Sequence, residues 1–441
     1  MNLDLTKIKH VHFIGIGGIG ISAIARMMIH DGKKVSGQDM NDSDILAELR
    51  KAGADITVGQ SYESIPEDAD LIVYTIAIES YDPELYKKVK DGTIVNYSYP
   101  EMLSVVTEGK YTIAISGTHG KTTTTAMIAG ILRDAKKDPT VIVGSLLIGE
   151  KSNFIAGKSD LFVVEACEYK RSFLNINPNI LVITNIDEDH LDYYKDIEDI
   201  KSAFRELAMK VPEGGFVVCN PDDVNIADVI SGIQAKVINY HDFFNADLKL
   251  KVPGTHNKKD AAAAFAVASI LAIPYTQTNL SLESFPGTWR RFEYKGKLDS
   301  GAIVYDDYAH HPIEISATLE GFRELYPKSA GWNITVVFQS HLFSRTKLLL
   351  ADFAKSFNLA DGVIVLPIYF AREEDDGIIS AEILAEAIRE YNPNTKAFDD
   401  FESAEKYLRI FVSNMNEKDI IVTMGAGDAF KIGDNLLKDN N

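Results

Sequence analysis

Residues Ala114–Thr125 read A-I-S-G-T-H-G-K-T-T-T-T, a glycine-containing stretch closed by a lysine and hydroxyls. Those residue types suit a phosphate-binding loop. Backbone N–H groups of Gly117, Thr118, His119 and Gly120, with the start of a following helix, can cradle phosphate oxygens. Lys121 would reach the terminal phosphates, the Thr122 hydroxyl would ligate Mg²⁺, and Thr123 follows in the first helical turn. The loop is shorter than the usual pattern. It reads G-x-x-G-K-T, with Ile115 where the outer glycine belongs. The bland alternative is a glycine turn with a solvated lysine. The apolar run Tyr111–Ile115 before the loop and the amphipathic segment through Leu132 after it favour strand, loop and helix, and hence a nucleotide site.

A second glycine loop lies about a hundred residues earlier. Gly15, Gly17, Gly18 and Gly20 fit G-x-G-x-x-G between a strand and a helix, and Asp39 follows the next strand. The pattern suits a pyrophosphate at a helix N-terminus, with the acid accepting from a ribose hydroxyl. It does not identify the ligand, so an NAD-dependent oxidoreductase and a nucleotide-sugar site both remain open. The triphosphate loop weighs against hydride transfer, which has no use for it. Downstream, Glu165 ends the apolar strand of V-V-E-A-C-E, and His190 follows another in T-N-I-D-E-D-H-L-D. Glu165 and His190 could serve a second Mg²⁺ or its water shell. Taken singly, each has a plainer reading, as a strand-end acid and a helix-cap histidine.

The elements that must position these residues alternate strand and helix throughout. About three domains are expected: 1–107, 108–287 and 288–441. In the first, strands are predicted at His10–Ile16, Val35–Gln38, Leu71–Thr75 and Thr93–Asn96, and helices at Ile19–His30, Asp44–Lys51 and Pro83–Lys90. In the second, strands are predicted at Leu161–Glu165, Ile180–Asn185 and Phe216–Cys219, before an alanine-rich helix at Asp260–Leu271. In the third, strands are predicted at Ile303–Asp306, Ile334–Gln339, Gly362–Leu366 and Ile420–Met424. Such alternation implies α/β domains with mainly parallel sheets covered by helices. The acidic run at 372–376 reads as a solvated loop.

The 441 residues are 46% hydrophobic and 25% charged, as in an ordinary globular protein. No apolar run approaches a membrane span. The first ten residues lack a signal-peptide core, so a cytoplasmic location without membrane insertion is expected. The two cysteines, Cys167 and Cys219, form no metal-like cluster. A formal net charge of −19 argues against broad nucleic-acid binding, though not against local basic pockets for an anionic substrate.

Taken together, the motifs resemble the Mur ligases of peptidoglycan synthesis over essentially the whole chain. The marks are H-V-H-F-I-G-I-G-G-I-G-I-S, G-T-H-G-K-T-T-T-T, T-N-I-D-E-D-H-L-D, G-T-H-N, W-R-R-F-E, D-D-Y-A-H-H-P, F-Q-S-H-L-F-S-R-T and M-G-A-G-D. Within the family, the first glycine loop and D-D-Y-A-H-H-P point to the alanine-adding branch. The resemblance implies three domains, N-terminal Rossmann-like, central ATP-binding and C-terminal Rossmann-like. It implies an ATP-dependent ligase, with Mg²⁺, that joins L-alanine to UDP-N-acetylmuramate, as a monomer or homodimer. Gly15–Gly20 would take the UDP pyrophosphate. Lys121, Thr122, Glu165 and His190 would serve the triphosphate and metals, His256 and Asn257 the adenine side of ATP, and Arg291 the phosphates. Asp306, Tyr308, His310, His311 and Arg345 would come toward ATP and the amino acid, with Arg345 suited to clamp a carboxylate. His310 or His311 would take a proton from the amine.

Two departures stand out. Cys167 occupies the place where the family usually has Asp. The helix in which sibling ligases carry a carbamylated lysine reads S-A-F-R-E here, with Phe204 and Arg205, so no such lysine is expected. The competing readings are a ligase attaching a whole tripeptide to the same sugar, a folylpolyglutamate synthase-like enzyme, the oxidoreductase, and a non-catalytic nucleotide-binding regulator.

Overall fold

In the computed structural model, residues 3–148, 150–370, 373, 375 and 377–438 are described. Of the acidic run at 372–376, Arg372, Glu374 and Asp376 lie outside the described residues. Three helix-covered sheets follow one another along the chain, a three-domain α/β fold. The first has strands β1 His10–Ile14, β2 Lys34–Asp39, β3 Asp55–Val58, β4 Leu71–Tyr74 and β5 Val95–Ser98, in the order β3-β2-β1-β4-β5. All its pairings are parallel. The second has β6 Tyr111–Ser116, β7 Thr140–Leu147, β8 Ser152–Ile155, β9 Leu161–Glu165, β10 Ile180–Ile183, β11 Phe216–Cys219 and β12 Lys236–Asn239. Their order is β12-β11-β10-β6-β9-β7-β8, with β8 antiparallel at one edge. The third has β13 Glu293–Lys297, β14 Ile303–Asp307, β15 Asn333–Phe338, β16 Gly362–Val365, β17 Thr395–Ala397 and β18 Asp419–Met424. Their order is β13-β14-β18-β15-β16-β17, with β13 antiparallel at its edge.

The chain packs as two compact units, Met1–Lys249 with Lys259–Phe285, and Leu250–Lys258 with Pro286–Asn441. The first unit holds the first two sheets over one continuous apolar core. Val11, Phe13 and Ile24 from the first sheet region and Phe162, Leu181 and Phe204 from the second belong to the same buried cluster. Asn153 on β8 fastens the junction: its amide donates to the carbonyl of Ile19 and to Ser22 Oγ at 2.9 Å. The second unit has its own core around Val304, Val337, Ile364 and Ile421. No described helix is long and apolar enough to cross a membrane.

The predicted helices Ile19–His30 and Asp44–Lys51 and strands Leu161–Glu165 and Phe216–Cys219 form over those residues. The strand expected at Thr93–Asn96 instead runs Val95–Ser98. Ser98 both ends it and caps the next helix in a capping box with Glu101. The alanine-rich helix starts earlier than expected, at Thr255. Strands β3, β7, β8, β12, β13 and β17 were not anticipated. Five of them end a sheet, where one flank has no partner and the apolar signature is weak: β3 reads D-I-T-V, with a burial pattern to match.

Phe204 is fully buried and meets Phe173 edge-to-face at 5.1 Å between ring centres. Phe204→Ala should destabilise the first unit by about 3–5 kcal/mol, the usual cost of emptying an aromatic core site. Chemical denaturation followed by tryptophan-independent circular dichroism would measure it. A loss below about 1 kcal/mol would contradict the packing described.

Candidate functional site

Both glycine loops stand where strand order reverses. The first follows β1, whose neighbours β2 and β4 lead to opposite sides of the sheet. The second follows β6, between β10 and β9. Crevices of this kind at the carboxyl ends of parallel strands are where α/β sheets take ligands.

In the first loop Gly15 and Ile16 donate their N–H groups to the carbonyl of Gln38, at 2.8 and 3.2 Å. Gly17 donates to Asp39 Oδ2 at 2.8 Å, so the acid predicted for a ribose shapes the loop in this structure. Gly18 caps the helix Ile19–His30. Gly20 is required by close packing: a Cβ there would lie 2.6 Å from the Tyr99 ring.

The phosphate loop is held in a form that needs glycine at both ends. Gly117 has φ +137° and Gly120 φ +82°, where β-carbons are disfavoured. A Cβ at Gly117 would meet Thr184 Oγ1 at 2.0 Å, and one at Gly120 would meet Asp260 Oδ1 at 2.4 Å. The T-N-I-D segment after β10 braces the loop. Asn185 Oδ1 accepts from His119 N–H at 2.9 Å, and its amide and the Thr184 hydroxyl donate to the carbonyl of His119. The N–H of Asp187 donates to Thr118 Oγ1 at 2.9 Å. Thr122 and Thr123 are buried in the first turn of the helix Lys121–Asp134.

Lys121 Nζ donates to the carbonyls of Gly117 and Thr118, at 2.5 and 2.9 Å, and lies 3.0 Å from the buried Glu168 carboxylate. Burial works against the lysine charge, but Glu168, with the nearby Cys167 and Glu165, outweighs it and holds the ammonium above its usual pKa. Burial likewise works against Glu168, and Lys121 and His190 hold it below the usual carboxylate range.

The predicted metal residues divide into two groups. Thr122 Oγ1 donates to Glu165 Oε1 at 3.1 Å, while Glu165 Oε2 accepts from Gly144 N–H at 2.7 Å. His190, at φ +54°, lies against Glu168 and Asp189, with Nε2 3.5 and 3.8 Å from their oxygens. Glu168, Asp189 and His190 offer three ligand atoms within 4.8 Å of one another. The partner of His190 is thus Glu168, three residues beyond the Glu165 that the sequence suggested. E-A-C-E contains two acids, and only the turn after β9 decides which faces the histidine.

In the second unit the two arginines of W-R-R-F part ways. Arg290 is buried: Nε meets Asp306 Oδ2 at 2.8 Å, and its other nitrogens donate to the carbonyls of Gly425 and Gly427. Arg290 and Phe292 both have positive φ, +58° and +52°, and Arg291 between them keeps a half-buried side chain over the Tyr308 ring at 5.1 Å. The other Asp306 oxygen accepts from Thr423 Oγ1 at 2.6 Å. Asp306, predicted to face ATP, is thereby committed to holding Arg290. Asp307, which the sequence reading passed over, accepts from the N–H groups of Phe292 and Ala309 at 2.7 and 2.8 Å.

The two histidines of D-D-Y-A-H-H-P also differ. His311 caps the helix Pro312–Leu325 and accepts from Ile313 N–H at Nδ1. His310 Nδ1 lies 3.1 Å from the Tyr308 carbonyl and 3.3 Å from Glu314, two acceptors that place its proton on Nδ1 and leave Nε2 basic. Its ring meets His341, which stacks on Tyr369. Arg345 lies in the first turn of the helix Phe343–Leu348, whose N-cap Leu342 is held at φ +73°. His256 folds back beside Gly254, and Asn257 donates to the Pro253 carbonyl at 2.6 Å.

Comparison with known proteins matches this architecture in chain order. The Mur ligase family catalytic domain matches residues 10–111, the Mur ligase middle domain 115–243, and the Mur ligase glutamate ligase domain 290–427. The chain belongs to the Mur ligase family. It is 40% identical to a UDP-N-acetylmuramate–L-alanine ligase of Caldanaerobacter subterraneus, with 100% of both chains covered. It is 42% identical to one of Clostridium acetobutylicum, covering 99% of this chain and 100% of that one. The solved UDP-N-acetylmuramate-alanine ligase of Thermotoga maritima superposes with a TM-score of 0.81 at 28% identity, over 98% of each chain. A murein peptide ligase of Psychrobacter arcticus shares the fold at 23% identity, with a TM-score of 0.71 over 98% of each chain.

Burial pushes Asp307 up to about 6, against the pull of Arg291 and the two N–H donors. A folded-state pKa above the unfolded value of 3.8 means that the folded state binds more protons between the two values. This carboxyl should therefore cost stability progressively as pH rises from about 4 to about 6, with no further change above. Carboxyl ¹³C NMR should show Asp307 titrating near pH 6; a midpoint at or below 4 would show that the donors win over burial.

Proposed function

We propose that this chain joins L-alanine to the lactyl carboxylate of UDP-N-acetylmuramate at the expense of ATP, in cytosolic peptidoglycan precursor synthesis. The observation that carries the reading is a braced phosphate loop whose buried Lys121 pairs with Glu168, in a chain at least 40% identical, end to end, to ligases of that name. In this reading residues 1–107 bind the UDP-sugar, 108–287 bind ATP, and 288–441 bring the amino-acid site. An amide does not form readily from a free carboxylate in water, so the carboxylate is first activated. A lactyl oxygen attacks the γ-phosphoryl group, giving an acyl phosphate and ADP. The neutral amine of alanine then attacks the acyl carbon, and the tetrahedral intermediate expels phosphate.

Catalysis of the first step is mostly positioning and charge neutralisation. Lys121 would leave the loop carbonyls for the phosphate oxygens, and Arg291, which lies over the Tyr308 ring and 3.9 Å from Glu314, would add charge there. His310 Nε2 would take the proton from the alanine ammonium, while His311 caps its helix. Arg345 would hold the α-carboxylate. Thr122 with Glu165, and separately Glu168 and Asp189 with the His190 imidazole, offer hard, mostly oxygen donors that fit Mg²⁺. Bound there, the ion would supply further neutralisation of phosphate charge.

ADP release should require both UDP-N-acetylmuramate and L-alanine. Release with a tripeptide in place of alanine would favour the tripeptide-attaching reading instead. Lys121→Ala should retain the fold by circular dichroism and lose turnover by about a hundredfold or more; near-normal turnover would sink the assignment of the loop. Arg345→Lys keeps the charge and loses the planar fork, so the Michaelis constant for alanine should rise more than that for ATP. A raised ATP constant with an unchanged alanine constant would move Arg345 to the phosphates.

A further inference from the structure

The two histidines of H-V-H-F-I-G have no part in the chemistry above, yet both are almost completely buried, each 2% exposed. Alternation along β1 puts them on one face with Ile14. The parallel register sets His12 opposite Ser36, and Ile14 opposite Gln38, on β2. Their contacts form a continuous polar chain. Asp68 Oδ1 lies 3.0 Å from His10 Nδ1, and His10 Nε2 lies 2.8 Å from Ser36 Oγ. Ser36 Oγ lies 2.8 Å from His12 Nδ1, and His12 Nε2 lies 3.2 Å from Gln38 Nε2.

The direction of every proton in this chain follows from its far end. The N–H of Ser61 donates to Gln38 Oε1 at 2.8 Å, so the amide nitrogen of Gln38 faces His12. His12 Nε2 must then accept, which leaves its proton on Nδ1, donated to Ser36. The Ser36 hydroxyl, already accepting there, turns its own proton to His10 Nε2. His10 in turn carries its proton on Nδ1 and donates to Asp68. Each ring is neutral, and every buried polar atom along the chain is satisfied. A proton on His12 Nε2 would face the Gln38 amide hydrogens, and burial pushes His12 down to about 4.

Gln38 is also the residue whose backbone carbonyl accepts from both Gly15 and Ile16 at the start of the first glycine loop. We propose that the chain Asp68–His10–Ser36–His12–Gln38 is a positioning network that fixes the pyrophosphate-binding glycine loop from behind, by pinning Gln38 from its side chain while its main chain holds the loop. His10, His12 and Ser36 are positioning residues for the sugar-nucleotide site. Satisfied networks in a low-dielectric interior favour a single arrangement, and a break anywhere leaves a buried polar atom without its partner. The inference rests on the proposed sugar-nucleotide role of that loop.

Two measurements on the full chain test it. Long-range ¹⁵N spectra of the wild-type protein at pH 7 should show His10 and His12 as neutral Nδ1–H tautomers; an Nε2–H tautomer at either position overturns the network. Ser36→Ala interrupts the chain, and Ser36→Thr keeps the hydroxyl. For Ser36→Ala the Michaelis constant for UDP-N-acetylmuramate should rise about tenfold, the scale of one broken buried hydrogen bond. The turnover number and the ATP constant should stay within about twofold, and Ser36→Thr should recover most of the loss. A melting temperature that falls with no change in the sugar-nucleotide constant would make the chain purely structural and overturn the proposal. If the wild-type protein released no ADP with UDP-N-acetylmuramate and alanine, the functional reading would fail, while the tautomer measurement would still decide the network.

Discussion

Parallel strands end together, and that geometric constraint organises the molecule. With all strands of a sheet running the same way, the loops that leave their carboxyl ends collect along one edge, and the place where strand order reverses opens a crevice there. The first glycine loop occupies that crevice in the first sheet, and the phosphate loop in the second. In the third sheet the loops leaving β14, β18 and β15 are neighbours for the same reason. Motifs far apart in the chain, D-D-Y-A-H-H-P and M-G-A-G-D, therefore meet at Arg290.

On this scaffold, charges are buried only in company. Lys121 has Glu168, and Glu168 also has His190. Arg290 has Asp306 and two glycine carbonyls. Removing one member of such a pair leaves a charge stranded in a poor solvent, which costs more than the pair contributes. The two sets nevertheless serve different ends. Arg290 has its guanidinium fully spent on protein partners, which suits a residue that holds its neighbours Arg291 and Tyr308 in place. Lys121 is bonded to carbonyls of the loop it belongs to, partners that an incoming anion can replace.

The α/β class, the helices flanking each loop and the loops themselves were legible in the sequence, because apolar periodicity and glycine spacing are local signals. The unforeseen strands are mostly edges, short and half-solvated, where those signals fade. Within the site, sequence order could not separate chemically identical neighbours. Glu165 and Glu168, Arg290 and Arg291, Asp306 and Asp307, and His310 and His311 are each a pair of like residues whose side chains leave the backbone in different directions. Positive φ values at Arg290 and Phe292, and the turn at Lys170 and Arg171, also left-handed, redirect the chain beside two of these pairs. Neither turn contains glycine, so nothing in the composition announces it.

The first two sheets share one core, and Asn153 stitches the hairpin of the second to the first helix of the chain. Subdivision by motif and subdivision by cohesion therefore differ. A cut near residue 107 would bare apolar surface on both sides of the break, leaving two sticky halves where the sequence suggests two free-standing modules. The same union makes the two glycine loops parts of a single elastic body. Any stiffening of one sheet would reach the other through that common interior, with no hinge between them.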